Sequence, residues 1–323
     1  MQYCMAVVDI CLLMYLKGED RMKVKTKRNI SGFIFALPWI IGFVCFSAYP
    51  IVTSMYYSFT EFNMFQAPNF VGIANYKQLF QEAKFWKSLY NTLYMTVLGT
   101  PLNLAFGLFM ANLLNKKLKG MSVYRTIFYM PTIVPAVAST LLWIWILNPT
   151  QGLLNNALKS LGLPAPNWLG DPQMTKPALL LMGLWGTGGI MLIFLAALQD
   201  VPKSLYEAAE IDGANSVRRF FSITLPSISP VIFFQLIMSV ISNFQYFTQA
   251  YLMTNANSTG GFNAASGGPE NSLLFYALYL YQNAFAFFKM GKASAMAWIL
   301  FIIVAIVTYA LFKTQRKWVT YGE

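Results

Sequence analysis

Hydrophobic positions along this chain gather into six long blocks separated by polar connections. The blocks lie at about residues 30–59, 89–114, 124–147, 177–198, 228–253 and 293–312. Each is apolar over roughly the 20 residues that a helix needs to cross a hydrocarbon core, and none has a charged residue at its centre. The pattern predicts an all-α, polytopic membrane protein with six transmembrane helices. Prolines 38, 50, 101, 131 and 135 fall inside these blocks. Neighbouring helices and water can satisfy the carbonyls that proline frees, so kinked helices around a cavity are expected.

Composition supports this picture. The chain has 323 residues, of which 57% are hydrophobic and only 11% charged, whereas a soluble domain draws roughly a quarter of its residues from the charged types. A single water-soluble globule is excluded. The net charge of +11 is settled by placement. Lysine and arginine concentrate in the leader (Lys17 to Arg28), in the connections holding Lys116 to Arg125 and Lys203 to Arg219, and after the sixth block (Lys313 to Lys317). The other connections hold fewer. Basic residues in short connections stay on the cytoplasmic side, so both termini are expected in the cytoplasm and the excess charge is an orientation signal, with no call for nucleic acid. There is no histidine, and Cys4, Cys11 and Cys45 are scattered. No metal site and no catalytic residue are therefore assigned.

Residues 1–29 read as an N-terminal cytoplasmic segment. Residues 2–16 are apolar but too short to span, carry Asp9 and lack the basic leader of a signal peptide. The run from Lys17 to Arg21 is what a purine-rich ribosome-binding stretch would give if translated, and Met22 follows it. The expectation is a natural start at Met22, with residues 1–21 a gene-calling extension; a short interfacial helix is the alternative.

Between the fourth and fifth blocks, residues 199–226 form a charged connection that does not read as slack. Ser204 with Glu207 makes a capping-box pattern ahead of a helix-forming run to Ile211, and Gly213 would stop that helix. A second short helix at about residues 216–221 would end in Leu225-Pro226. A rigid helical elbow is expected, its acidic arm (Glu207, Glu210, Asp212) facing a basic one (Arg218, Arg219), shaped to dock a soluble partner. Small Ala208 and Ala209 suggest close approach.

The spacing of Glu207-Ala208-Ala209, Gly213, Ile223 and Leu225-Pro226 resembles the EAA coupling motif of ATP-binding-cassette importer permeases. From about residue 30 onward the chain is similar to the sugar and oligosaccharide permeases of the maltose and glycerol-phosphate type. Asn69-Phe70-Val71-Gly72, the run from Tyr124 to Pro131 and Gly267-Gly268-Pro269-Glu270-Asn271 carry that likeness. The resemblance implies a type I importer permease, itself no enzyme, in a bacterial inner membrane. It further implies a second permease subunit, favoured as a different chain, two copies of a cytoplasmic ATPase that bind ATP and Mg, and an extracytoplasmic substrate-binding protein meeting the outer loops around Asp171-Pro172 and residues 255–271. The chain has no phosphate-binding loop of its own; Met290-Gly291-Lys292-Ala293-Ser294 is the nearest echo.

For a substrate path, the fifth block offers Gln235, Ser239, Ser242, Asn243, Tyr246 and Gln249 at helical steps of three and four. Such a stripe is costly in hydrocarbon unless it faces a cavity or a partner helix. The fourth block adds Trp185 beside Gly183, Gly186, Gly188 and Gly189, which suit either close packing or an open groove. The resemblance implies that Gly186, Ser239, Asn243 and Tyr246 line a sugar site; Trp185, Ser242 and Gln249 join them from the stripe and the ring alone. Sugars fit such hydroxyls, amides and a flat ring, whether neutral or uronic-acid oligomers such as alginate or pectin fragments. The rival reading is an ion-coupled transporter or channel acting alone, but without an ionisable residue in mid-membrane a proton or sodium relay is hard to build.

Overall fold

The computed structural model describes residues 24–116, 118–256 and 267–320. The proposed extension and most of the loop at residues 255–271 lie outside these. The chain divides into two compact units, residues 1–56 and 57–323. In the first, a helix from Val24 to Phe43 continues through a wide turn at Val44–Ala48 into the helix Tyr49–Ser58. Its large side chains, Phe35 and Phe46 among them, are exposed, as lipid contact or a partner helix requires.

Among the described residues, four helices are long and apolar enough to cross a membrane: Gly32–Ser58, Ala83–Leu114, Ser229–Asn255 and Met290–Gln315. The third and fourth expected spans are bent pairs. Met121–Ile133 meets Ala136–Ile146 at 98°, and Thr175–Trp185 meets Gly188–Asp200 at 47°. The first bend follows from Pro135, which forces Val134 into an extended backbone (φ −68°, ψ 128°). The second falls at Gly186 and Thr187, where neither residue keeps helical torsions.

Pro50 and Pro101 do not break their helices. Each is the second residue after a π-type turn, Val44–Ala48 and Met95–Gly99, as is Pro226 after Phe220–Thr224. The wider turn moves the carbonyl that the proline ring would strike, so these kinks are absorbed as bulges. Among the described residues, the small sheet pairs Thr60–Glu61 antiparallel with Asn69–Phe70, in register Thr60 to Phe70.

Among the described residues, the second unit holds two apolar cores stacked along the helices. One gathers Leu79, Phe85, Met95, Trp143, Leu179, Met182, Met253, Phe275 and Met296. The other gathers Leu104, Met110, Leu114, Met191, Phe194, Leu198 and Ile228. The long helix Ala83–Leu114 and the bent pair Thr175–Asp200 each run through both, which leaves a seam at mid-height.

Candidate functional site

The elbow is built as a helix, a sharp stop and a second helix. The first arm is Lys203–Ile211. Ser204 does not cap it: Pro202 holds that place (φ −60°, ψ 130°) with no side-chain cap, so the expected capping box is corrected to a helix that starts two residues earlier. At the other end Gly213 takes φ +75°, Gly213 N–H donates to Glu210 O, and Ala214 N–H donates to Ala209 O. These are the two bonds of a Schellman cap, a position that favours glycine because a Cβ clashes in the left-handed region. Asn215 then caps the second arm, its side-chain oxygen accepting from Arg218 N–H at 2.8 Å. That arm runs through a π-type turn to Thr224, longer than expected.

Tyr206 and Thr224 join the two arms through a 2.8 Å hydroxyl contact. Tyr206 and Ile223 pack onto the core containing Leu198 and Ile228, so the elbow is seated on the bundle. Glu210 and Arg219 lie 3.6 Å apart with the carboxylate exposed, a pair of little weight for stability. What remains outward is a mixed surface: Glu207 and Ala208 are exposed, Ile211 is 88% exposed, and Val217 and Phe221 are exposed beside them. The residues of the EAA-like spacing thus divide by position in the elbow. Gly213 sets the shape, Ile223 seats the elbow with Leu225 and Pro226 beside it, and Glu207 with Ala208 is presented outward.

The other candidates are spread from the first core to the seam between the two cores. Trp185 and Gly186 lie at the bend of the fourth span. A Cβ on Gly186 would meet nothing closer than Gly183 O at 3.5 Å, so packing does not demand a glycine there. At Gly188 it does, because a Cβ would strike Phe128 O at 2.5 Å and Thr132 Oγ1 at 2.6 Å. Trp185 stands edge-on to Trp143, with ring centres 6.0 Å apart.

The polar stripe of the fifth span is not one continuous face. Its helix ends at Phe244 and resumes at Thr248, so Tyr246 falls in the break and Gln249 on the next helix. Asn243 donates to Thr100 Oγ1 at 2.8 Å, and Tyr246 packs its ring against Phe275 at 5.2 Å. Gln235 is buried, while Ser239 is half-buried and Ser242 exposed. Sequence reasoning missed the second span's share. Thr96, Thr100 and Asn103 recur at steps of four and three, and Asn103 lies 3.4 Å from where a Cβ of Gly183 would sit. That spacing was there to be read; a run rich in Leu, Phe and Ala hid it.

A third polar feature lies beyond the first core. Lys292, in the first turn of the last helix, is 5% exposed and places Nζ 2.5 Å from both carboxylate oxygens of Glu82, which also accepts from Tyr279 OH at 2.6 Å. Burial pushes the Glu82 carboxyl up, but the donors Lys292 and Tyr279 and the nearby ammoniums together hold it below its ordinary range. Burial and that carboxylate push the Tyr279 hydroxyl up.

Comparison with known proteins agrees with this architecture. Residues 103–320 match the family described as binding-protein-dependent transport system inner membrane component. The chain is 43% identical over 310 residues, covering 94% of it and 97% of its relative, to a protein named probable ABC transporter permease protein YesP of Bacillus subtilis (strain 168). It is 32% identical to the lactose transport system permease protein LacF of Rhizobium radiobacter, over 92% of this chain and 98% of that one. Among solved structures, one chain of a bacterial alginate ABC transporter superposes with a TM-score of 0.78 at 22% identity, covering 94% of this chain and all of that one, a likeness of fold. With its two stacked cores, its bent spans and its elbow, the chain belongs to the family of inner membrane components of binding-protein-dependent transport systems, and its fold is that of a type I ABC importer permease.

Proposed function

We propose that this chain forms half of the translocation path of an ATP-driven importer of sugars or oligosaccharides. The observation that carries the reading is the elbow: a seated, rigidly capped projection whose outward surface mixes Glu207 with exposed Ile211, Val217 and Phe221. An apolar patch rimmed by charge is a surface for a protein partner. Two copies of a cytoplasmic ATPase, one docked here and one on a second, different permease chain, would hold ATP and Mg. ATP-driven closure of that pair would move the elbow and turn the seam outward, where an extracytoplasmic binding protein delivers the substrate. Both termini and the elbow then face the cytoplasm.

Sugar as the cargo is supported by relatives named for lactose and for arabinooligosaccharides, the latter AraP of Bacillus subtilis at 31% identity. The residues of the fourth span's bend support it too, the Trp185 ring next to an unencumbered Gly186 with the Asn103 amide near Gly183, as does the half-buried Ser239 hydroxyl on the fifth span. The test is reconstitution into proteoliposomes with the partner permease, the ATPase and the binding protein. Uptake of labelled oligosaccharide should require ATP and every partner, and Gly186→Val should abolish it without loss of assembly. Ion-driven uptake by this chain alone would overturn the reading.

A further inference from the structure

A cavity of about 420 Å³ opens beside the first turn of the last helix. It lies at the end of the bundle opposite the elbow. The last helix runs 26 residues from Met290 to Gln315, roughly 39 Å, and just beyond it Thr320 N–H donates to Ser229 Oγ at the elbow's exit. Under the orientation proposed above, the cavity therefore faces the outside.

Its walls carry Glu61, Asn63 and Gln78 with Lys289, and two rings, Phe62 and Phe288. The frame is held from several sides. Asn75 Nδ2 donates to Ser58 O and Thr60 O at 2.9 Å each, Gly291 N–H donates to Phe62 O at 3.1 Å, and Asn63 Oδ1 accepts from Phe65 and Gln66 N–H. A Cβ at Gly291 would run into Thr60 O, so the strand and the helix start are in closest contact here. Lys292 forms part of the wall, its charge already met by Glu82. Phe288 sits at φ +54°, a strained place for an aromatic residue. Such strain persists where surroundings enforce it, and it gathers at binding sites.

The chemistry narrows the occupant. One carboxylate is too little for a divalent cation, and that same carboxylate opposes an inorganic anion. A carboxylate, two side-chain amides and an ammonium beside two rings instead offer acceptors, donors and flat apolar faces together, which is what a hydroxyl-rich ring needs. The volume falls within the range of small-ligand sites. We propose that this cavity is a saccharide subsite at the outer mouth of the permease, distinct from the mid-membrane seam, taking a mono- or disaccharide unit of the cargo. This rests on the reading of the cargo as sugar.

The experiment uses the assembled permease–ATPase complex in nanodiscs, without binding protein or ATP, titrated calorimetrically with a neutral hexose trisaccharide and with a hexuronate trisaccharide. The wild-type complex should bind at least one of them. Glu61→Gln and Phe288→Asn, the latter keeping a residue that tolerates the left-handed backbone, should each weaken that binding roughly tenfold, or about 1.4 kcal/mol. Wild-type binding unaltered in both variants overturns the proposal, as does no binding by a complex that still imports sugar with its binding protein. Variants that lose binding-protein affinity but keep saccharide affinity also overturn it, in favour of a protein contact. Failure of ATP-driven uptake for every sugar would instead remove the reading beneath it.

Discussion

Lys292 Nζ lies 2.5 Å from each carboxylate oxygen of Glu82, joining residues 210 positions apart in the sequence. The pair ties the start of the last helix to the junction between the helices Ala74–Gln81 and Ala83–Tyr94. Tyr279 OH supplies a further donor to the same carboxylate. A charge as deeply buried as Lys292 persists only because these groups satisfy it.

Removing one partner should therefore harm the protein more than removing both. Glu82→Ala leaves the 5%-exposed ammonium unpaired and should lower stability by up to about 3 kcal/mol, less where water reaches the 27%-exposed carboxylate side. Adding Lys292→Met should restore part of the loss. Thermal unfolding of the purified protein in detergent gives the comparison. Losses that simply add in the double variant would show that the pair has no mutual dependence.

The same carboxylate makes stability acid-sensitive. Its value in the folded protein is held below the ordinary 4.5, so its contribution is present in full above that pH and is lost as pH falls through the folded value. The gap in unfolding temperature between wild type and Glu82→Gln should stay level from about pH 7 to 5 and narrow below about 4.5. A gap that is constant into the acid range would contradict the assignment of the shift to Glu82.

Which parts could be read beforehand follows from how far each interaction reaches along the chain. The elbow is local: Gly213, Asn215 and Pro226 shape backbone within a few residues, so its existence and its stop were readable, while its start was misplaced because Ser204 competed with Pro202 for the cap. The spans were readable from hydropathy, but the 98° bend was not, since Pro131 and Pro135 carry similar signals and only the second breaks its helix. The Glu82–Lys292 pair and the Asn243–Thr100 bond left no trace in sequence. Each joins residues more than a hundred positions apart, and nothing near either residue announces the other.

Asn243 was expected to line the path, and its bond to Thr100 gives it a second task. Thr100 is 1% exposed, so Asn243→Ala strands a buried hydroxyl and should destabilise by about 1 kcal/mol. Thr100→Val should cost a similar amount, and the two should not add in a double-mutant cycle. Ser239→Ala should stay within about 0.5 kcal/mol of wild type while raising the KM of sugar uptake. Uptake kinetics unchanged in Ser239→Ala would take that residue out of the path.

Gly213 offers the sharpest separation of shape from chemistry. Its φ of +75° places a left-handed residue between two arms whose other ends are already fixed by Tyr206 and Thr224, so the backbone there cannot relax without moving the elbow. Asparagine tolerates that region, alanine loses about 1 kcal/mol in it, and a β-branched residue loses more. Apart from its own chain neighbours, no atom of the described residues lies within 4 Å of a Cβ built at this position, so the steric effect is confined to the local backbone and to whatever docks outside. ATP-driven uptake in proteoliposomes should therefore fall in the order Gly213→Asn, Gly213→Ala, Gly213→Val, with membrane insertion and saccharide binding unchanged throughout. ATPase activity should lose its dependence on the loaded binding protein in the same order. Equal impairment by asparagine and valine would mean that the position matters for the space it leaves to the partner, and the left-handed turn would have no part in coupling.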